Sequence, residues 1–297
     1  MSSDAAVRAP VRVPPHLYFV VSAVFHYLGP AFAVLLFARV DVLGVAWLRI
    51  ASAAVVFAAW RRPWRAFGVL DSGGRRLLIA WGGVLAAMNA CFYTAIDRLP
   101  LATVAAIEFV PVIAIAALGA RTPRNALALA LAAPGVYLLT GVRLGAEPLG
   151  LAFAFANAVL FALYIVLADR VAKRPQISGI DGLAAAMLIA AVVVTPIGGR
   201  QAAPALGDPV ALLAGAGVGI SSSVIPYVAD QLALAHLARA TYALMVSLLP
   251  ATATAIGIAV LSQVPGVADV AGLALVVAGV ALHRPVVKPP PASVAQP

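Results

Sequence analysis

Few side chains in this sequence can hold a charge or pass a proton inside an apolar run. Arg49 lies within the run from Val42 to Trp60, and Glu108 within the run from Leu99 to Gly119, three residues before Pro111. A guanidinium at Arg49 offers forked donors to a carboxylate, either of a small molecule or of a neighbouring helix. Glu108 can bind an ammonium group, exchange a proton as its surroundings change, or form a clamp with Arg49. Asp230 stands near the end of a later run and reads more simply as an end residue reaching water.

Polar and aromatic side chains are more numerous in the same runs: His26, Tyr27, Asn89, Tyr93, Asn157, Tyr164, Tyr227, Tyr242 and Ser247. Apolar bodies with hydrogen-bonding tips suit a cavity that accepts varied small molecules. Each is equally explained, taken singly, by an interhelical hydrogen bond or an interfacial position. His26 fits a packed neutral imidazole as well as a ligand group. Asn89 and Tyr93 are four apart, so a helix puts them on one face.

Other chemistry has little to build on. The histidines His16, His26, His236 and His283 are scattered, and HExxH, CxxC and GxxxxGK motifs do not occur. No metal, cofactor or catalytic residue is expected. Cys91 is the only cysteine, so no intramolecular disulfide can form.

The elements that must position these groups are membrane spans. Of 297 residues, 63% are hydrophobic and 10% charged, against about 45–50% and about 25% in soluble domains. That excludes an ordinary soluble enzyme, a secreted disulfide scaffold and a disordered chain. The apolar runs are Leu17 to Ala38, Val42 to Trp60, Leu77 to Ile96, Leu99 to Gly119, Asn125 to Val142, Pro148 to Ala168, Ile180 to Gly199, Pro209 to Leu234, Ala240 to Val260 and Val267 to Leu282. They predict an all-α membrane protein of ten transmembrane helices. Residues 1–16 and 283–297 are then short tails. Arg8 and Arg12 before the first run, with Ala31-Phe32-Ala33 in it, also permit a cleaved signal peptide, but the run is long enough to span.

The net charge of +9 would suit nucleic acid in a soluble protein; here the charges sit in the turns and report topology instead. With both termini cytoplasmic, fifteen of the twenty Lys and Arg fall inside, four outside (Arg39, Arg98, Arg143, Arg200), and Arg49 within a span. One span more or fewer would erase this asymmetry, so a bacterial inner membrane with both tails inside is expected.

An internal repeat is legible. The segment Ala95-Ile96-Asp97-Arg98-Leu99-Pro100-Leu101-Ala102-Thr103 aligns without gaps on Ala233-Leu234-Ala235-His236-Leu237-Ala238-Arg239-Ala240-Thr241. Each copy precedes a run with an interior proline, Pro111 or Pro250. The copies turn at opposite faces, which predicts two inverted five-helix repeats, 17–142 and 148–282, with a site between them. Pro30, Pro111, Pro134, Pro226 and Pro250 each remove a backbone bond and promote a kink. Pro111 and Pro250 occupy matching places and are the expected hinges, or kinks that merely shape the bundle. Gly215 and Gly219 read as close helix packing, and a monomer or weak homodimer is expected.

The order of short motifs resembles the drug/metabolite transporter superfamily of EamA type. In the first half these are Trp47-Leu48-Arg49, Arg61-Arg62-Pro63-Trp64-Arg65, Met88-Asn89 with Phe92-Tyr93, and Ala106-Ile107-Glu108-Phe109 with Pro111. In the second they are Ala162-Leu163-Tyr164-Ile165, Pro226-Tyr227 and Met245-Val246-Ser247 with Pro250. These are most similar to the threonine/homoserine exporter branch and the YddG-type aromatic amino-acid exporters. The chain departs from that branch at Leu249, where an acidic residue is usual, and at Leu261-Ser262-Gln263, where Leu-Gly-Glu is usual.

The resemblance implies export of amino acids or similar small metabolites through a central cavity, by alternating access. A zwitterion brings both charges with it, so a cavity with few fixed charges can hold one. Sugar phosphates would need several interior Lys or Arg, and only Arg49 qualifies. The first run contains no acid, so facilitated diffusion or exchange stands beside proton antiport, with Glu108 as the proton carrier. A drug or organic-cation exporter of the same superfamily is the alternative. A membrane enzyme on lipid head groups would need clustered Asp, His or Arg at one face, and none is evident.

Overall fold

The computed structural model describes residues 14–111, 114, 122–141, 147–236 and 248–282, and all regular structure among them is helical. In chain order the helices are α1 (Pro15–Leu36), α2 (Val42–Arg61), α3 (Trp64–Val69), α4 (Ser72–Ile96), α5 (Leu101–Glu108), α6 (Pro123–Gly141) and α7 (Pro148–Ala172). They continue as α8 (Gly179–Val194), α9 (Arg200–Leu206), α10 (Pro209–Gly219), α11 (Ile225–His236), α12 (Leu249–Leu261) and α13 (Val267–Leu282). A single π-helical turn joins α8 to α9 at Thr195–Gly199, and another joins α10 to α11 at Ile220–Val224.

Among the described residues, six stretches are long and apolar enough to cross a bilayer: His16–Leu36, Val42–Arg61, Ser72–Ile96, Pro148–Ala172, Gly179–Leu206 and Pro209–Asp230. The helices Leu249–Leu261 and Val267–Leu282 are apolar but shorter. Large apolar side chains such as Val55, Val159, Val192 and Leu213 point outward, as lipid-facing positions must. This is a multi-pass membrane protein.

Helix starts follow local chemistry. Proline opens α1, α7 and α10, where its missing N–H costs nothing. Asp71 accepts from Gly74 N at 2.7 Å, Ser178 Oγ from Asp181 N at 3.1 Å, and Asp208 from Val210 N and Ala211 N at 2.9 and 3.2 Å. Those N–H groups would otherwise lack partners in the first turn.

Several boundaries differ from the sequence reading. The Asp71 cap starts α4 at Ser72, not Leu77, because Arg75 and Arg76 can snorkel from a first turn at the interface. The seventh run continues past Gly199 to Leu206. Gly198 and Gly199 do not stop it: a Cβ on Gly198 would meet Leu43 O at 2.7 Å and Trp47 Cβ at 2.7 Å, so glycine serves close approach to α2. The short α3 has too few residues for a hydropathy signal. Pro250 stands in the first turn of the described α12 rather than within it. Residues 1–13 of the first tail, the whole second tail, most of the second half of the fourth run, the second half of the second repeat segment, Tyr242 and Ser247 lie outside the described residues, and α1 begins at Pro15 inside the expected tail.

Pairing between helices is largely long-range in sequence. α1 packs on α10, α11 and the π turn between them, and on α12; α4 packs on α7 and α8; α2 packs on α8, α9 and α10. α5 meets α12 and α7, and α6 runs along α13. Small residues permit the tightest of these contacts. A Cβ on Gly135 would meet Gly272 O at 2.8 Å, and one on Gly272 would meet Gly135 O at 2.7 Å, so α6 and α13 touch backbone to backbone. Ion pairs tie the helix ends: Arg61 to Asp181 at 2.8 Å, Arg174 to Asp71 at 2.9 Å and Arg39 to Asp208 at 3.3 Å.

Candidate functional site

The site is assembled at a three-way crossing of α1, α2 and the π turn after α10. A Cβ on Gly29 would lie 2.4 Å from Ser222 Cβ, and one on Gly219 would lie 1.9 Å from Ser52 Oγ and 2.5 Å from Arg49 O. Only glycine allows these backbones so near one another. Arg49, in mid-α2, is buried at the crossing with 9% of its surface exposed.

Its partners are serines. Arg49 Nε donates to Ser223 Oγ at 3.1 Å and Nη2 to Ser222 O at 3.2 Å. The Ser222 carbonyl is available because of Pro226: a proline has no N–H to give to the carbonyl four residues back. The guanidinium also stands 5.5 Å from the centre of the Tyr93 ring, a cation–π distance. Nη1 makes no hydrogen bond to a described residue.

Glu108, the last residue of α5, is buried with 6% exposed and accepts from Asn157 Nδ2 at 3.1 Å. The clamp between Glu108 and Arg49 weighed from the sequence is therefore not formed. Each group has taken neutral partners, so neither charge is cancelled by direct contact with the other. The Arg49 charge acts on His26, Tyr93, Glu108, Tyr164 and Tyr227, and that of Glu108 on Tyr27 and Tyr227. These side chains come from α1, α2, α4, α5, α7 and α11, and so share one electrostatic neighbourhood drawn from both ends of the sequence.

Rings fill the space around the charges. Tyr93 meets Phe37 and Phe92 edge-on at 6.1 and 5.8 Å, and His26 meets Tyr27 at 5.1 Å. Tyr164 stacks on Phe161 at 6.5 Å and tilts against Trp81 at 5.6 Å; Phe161 reaches Phe109, next to Glu108, at 6.3 Å. Among the described residues, four buried polar atoms have no hydrogen-bond partner: Tyr27 Oη, Tyr93 Oη, Trp81 Nε1 and Asn157 Oδ1. An unmatched buried donor or acceptor costs about 1–3 kcal/mol. Three of the four belong to residues singled out from the sequence.

Asn89 does not join this group by contact. Its Nδ2 donates to Leu85 O of its own helix at 2.8 Å, so of the Asn89–Tyr93 face only Tyr93 meets Arg49. Sequence reasoning missed Ser222, Ser223, Trp81 and Phe161. The Ser221-Ser222-Ser223 triplet four residues before Pro226 was the available signal: hydroxyls and a released carbonyl inside an apolar run. Gln263, noted as a departure, accepts from Leu101 N at 3.1 Å and so caps the start of α5. Ser262 beside it adopts φ 55°, a left-handed position that favours glycine.

The EamA-like transporter family model matches residues 148–283, and the chain belongs to that family, a class of membrane transporters rather than enzymes. It is 30% identical over 259 residues to the threonine/homoserine exporter RhtA of Escherichia coli strain K12, covering 86% of each chain. It is 31% identical over 240 residues to the protein of that name from Salmonella typhimurium strain LT2, covering 79% of each. A solved crystal structure matches with a TM-score of 0.57 and 21% identity over 91% of this chain and 97% of its own, a likeness of fold.

Proposed function

We propose that this protein exports amino acids, threonine- and homoserine-like and aromatic, with broad specificity, across a bacterial inner membrane. The observation that carries the reading is the pair of separately held charges: Arg49 anchored by serines, its Nη1 making no hydrogen bond among the described residues, and Glu108 held by Asn157. A zwitterion's carboxylate fits the first and its ammonium the second. Surrounding rings with unmatched Oη and Nε1 atoms give side chains of different kinds both apolar contact and hydrogen bonds. An organic cation would be repelled by Arg49, which weighs against the alternative. Relatives named as threonine/homoserine exporters over most of their length agree with the substrate class.

The architecture in this reading is ten spans in two inverted repeats, 17–142 and 148–282, with both termini cytoplasmic. Helix pairing supports it. Exchanging α1 with α7, α2 with α8, α4 with α10 and α11, α5 with α12, and α6 with α13 turns every major pairing into another one present. Alternating access follows from rocking one bundle on the other, with Pro111 and Pro250 as hinges. Glu108 serves as proton carrier if transport is coupled to protons.

Uptake of labelled threonine and phenylalanine into proteoliposomes tests this. Trapped unlabelled amino acid should accelerate uptake, and a pH gradient should change it if Glu108 carries a proton. Folded protein giving no more uptake than empty liposomes would overturn the substrate class.

A further inference from the structure

A second basic site lies far from Arg49, at the membrane–water end of α2, and its chemistry is independent of what the protein transports. A cavity of about 530 Å³ opens between the end of α2, the short α3 and the start of α8, lined among others by Trp60, Arg61, Arg62, Arg65, Gln176 and Asp181. Arg61 is already engaged: its Nε pairs with Asp181 at 2.8 Å and its guanidinium lies 5.5 Å from the Trp60 ring. Arg62 and Arg65 have no side-chain partner among the described residues. Three arginines against one aspartate leave two uncompensated positive charges around the cavity.

The surroundings are those of a lipid boundary. Trp60 and Trp64 are 52% and 56% exposed beside the cavity, as aromatic residues are at head-group depth. Ala59 belongs to the wall, and one turn back on the same face Val55 is 68% exposed, so the cavity continues into an outward apolar stripe of α2. Arg62 also holds a left-handed backbone, φ 51°, at the end of α2, where glycine would be relaxed. An arginine kept in that conformation projects its charge at the turn between α2 and α3.

We propose that this cavity binds the phosphodiester head group of an anionic phospholipid, with Arg62 and Arg65 on the phosphate oxygens and the acyl chains along Val55 and Trp60. Arginine forks match phosphate oxygens, and a basic pocket at the membrane surface selects anionic lipid. A free phosphate ion would satisfy the arginines but leave the apolar stripe unused.

Thermal unfolding of the purified full chain in detergent tests it, with dioleoyl phosphatidylglycerol, dioleoyl phosphatidylcholine or sodium phosphate added at equal concentration. Phosphatidylglycerol should raise the midpoint by ~3 °C or more over phosphatidylcholine. Arg62→Gly/Arg65→Ala should lose at least half of that difference. Glycine suits the left-handed position and alanine suits exposed α3, so both changes spare the backbone, and Arg65→Ala alone provides a second variant with a smaller loss. An equal rise with phosphatidylcholine, or an undiminished rise in the double variant, overturns the site. An equal rise with sodium phosphate overturns the lipid as occupant.

Discussion

At Arg49 a lysine would replace the charge but not the grip. Two nitrogens of the guanidinium reach Ser223 Oγ and Ser222 O while a third makes no hydrogen bond among the described residues, and an ammonium, with its donors on one nitrogen, lacks the spread of a planar fork to reach both serines and present a donor in a separate direction. Arg49→Lys should lower threonine transport roughly tenfold or more, since a charge-assisted bond is worth about 1.5–3 kcal/mol. Transport at the wild-type rate would remove Arg49 from substrate binding. Glu108→Gln keeps an oxygen for Asn157 Nδ2, so the fold should persist while transport falls; unchanged uptake by that variant would take Glu108 out of the mechanism. These residues stood out in the sequence because charge inside an apolar run is rare. Asn157, the partner of Glu108, was legible as a polar group in a run, but the serines that hold Arg49 were not, because serine is unremarkable there and its role depends on which helices cross.

Among the elements, the π turn at Ile220–Val224 explains most of what the sequence concealed. Hydropathy records which side chains are apolar, whereas a wider turn is a change in backbone hydrogen bonding that leaves composition untouched. Pro226→Ala restores an N–H that can compete with Arg49 for Ser222 O. Its thermal midpoint should not fall, while its transport drops several-fold; unaltered transport would sever the proline from the site. The start of α10 permits a pH test. The Ala211 N–H first, then Val210 N–H and the Arg39 side chain, hold the exposed Asp208 carboxyl below its ordinary range. A lowered folded value means that the contribution is present above the unfolded value and lost as pH falls through the folded one. Asp208→Ala should therefore lower the thermal midpoint at neutral pH, and its gap from the wild type should close on acidification below about pH 4. A gap that persists at acid pH would assign the effect to something other than the carboxylate cap.

For the whole molecule, membrane residence and the helical class were plain from composition alone, since long apolar runs admit few folds. The proposed orientation rests on the fifteen basic residues that a ten-span topology would gather on one side. A fluorescent protein fused after Pro297 should therefore light up, and alkaline phosphatase fused there should be inactive; the reverse pattern would invert the topology. The partner of each helix was less legible, because an alanine-rich face fits many others. The observed pairing bears on how the protein is made. Helix α6, ending at Gly141, has its main contact in α13, which begins at Val267 and is the last described helix to be synthesised. At ribosomal speeds of about 5–20 residues per second, α6 waits for roughly 6 to 28 seconds before that partner exists. Throughout that interval its small-residue seam around Gly135 faces lipid or provisional neighbours, so assembly of this transporter is as much a matter of timing as of fit.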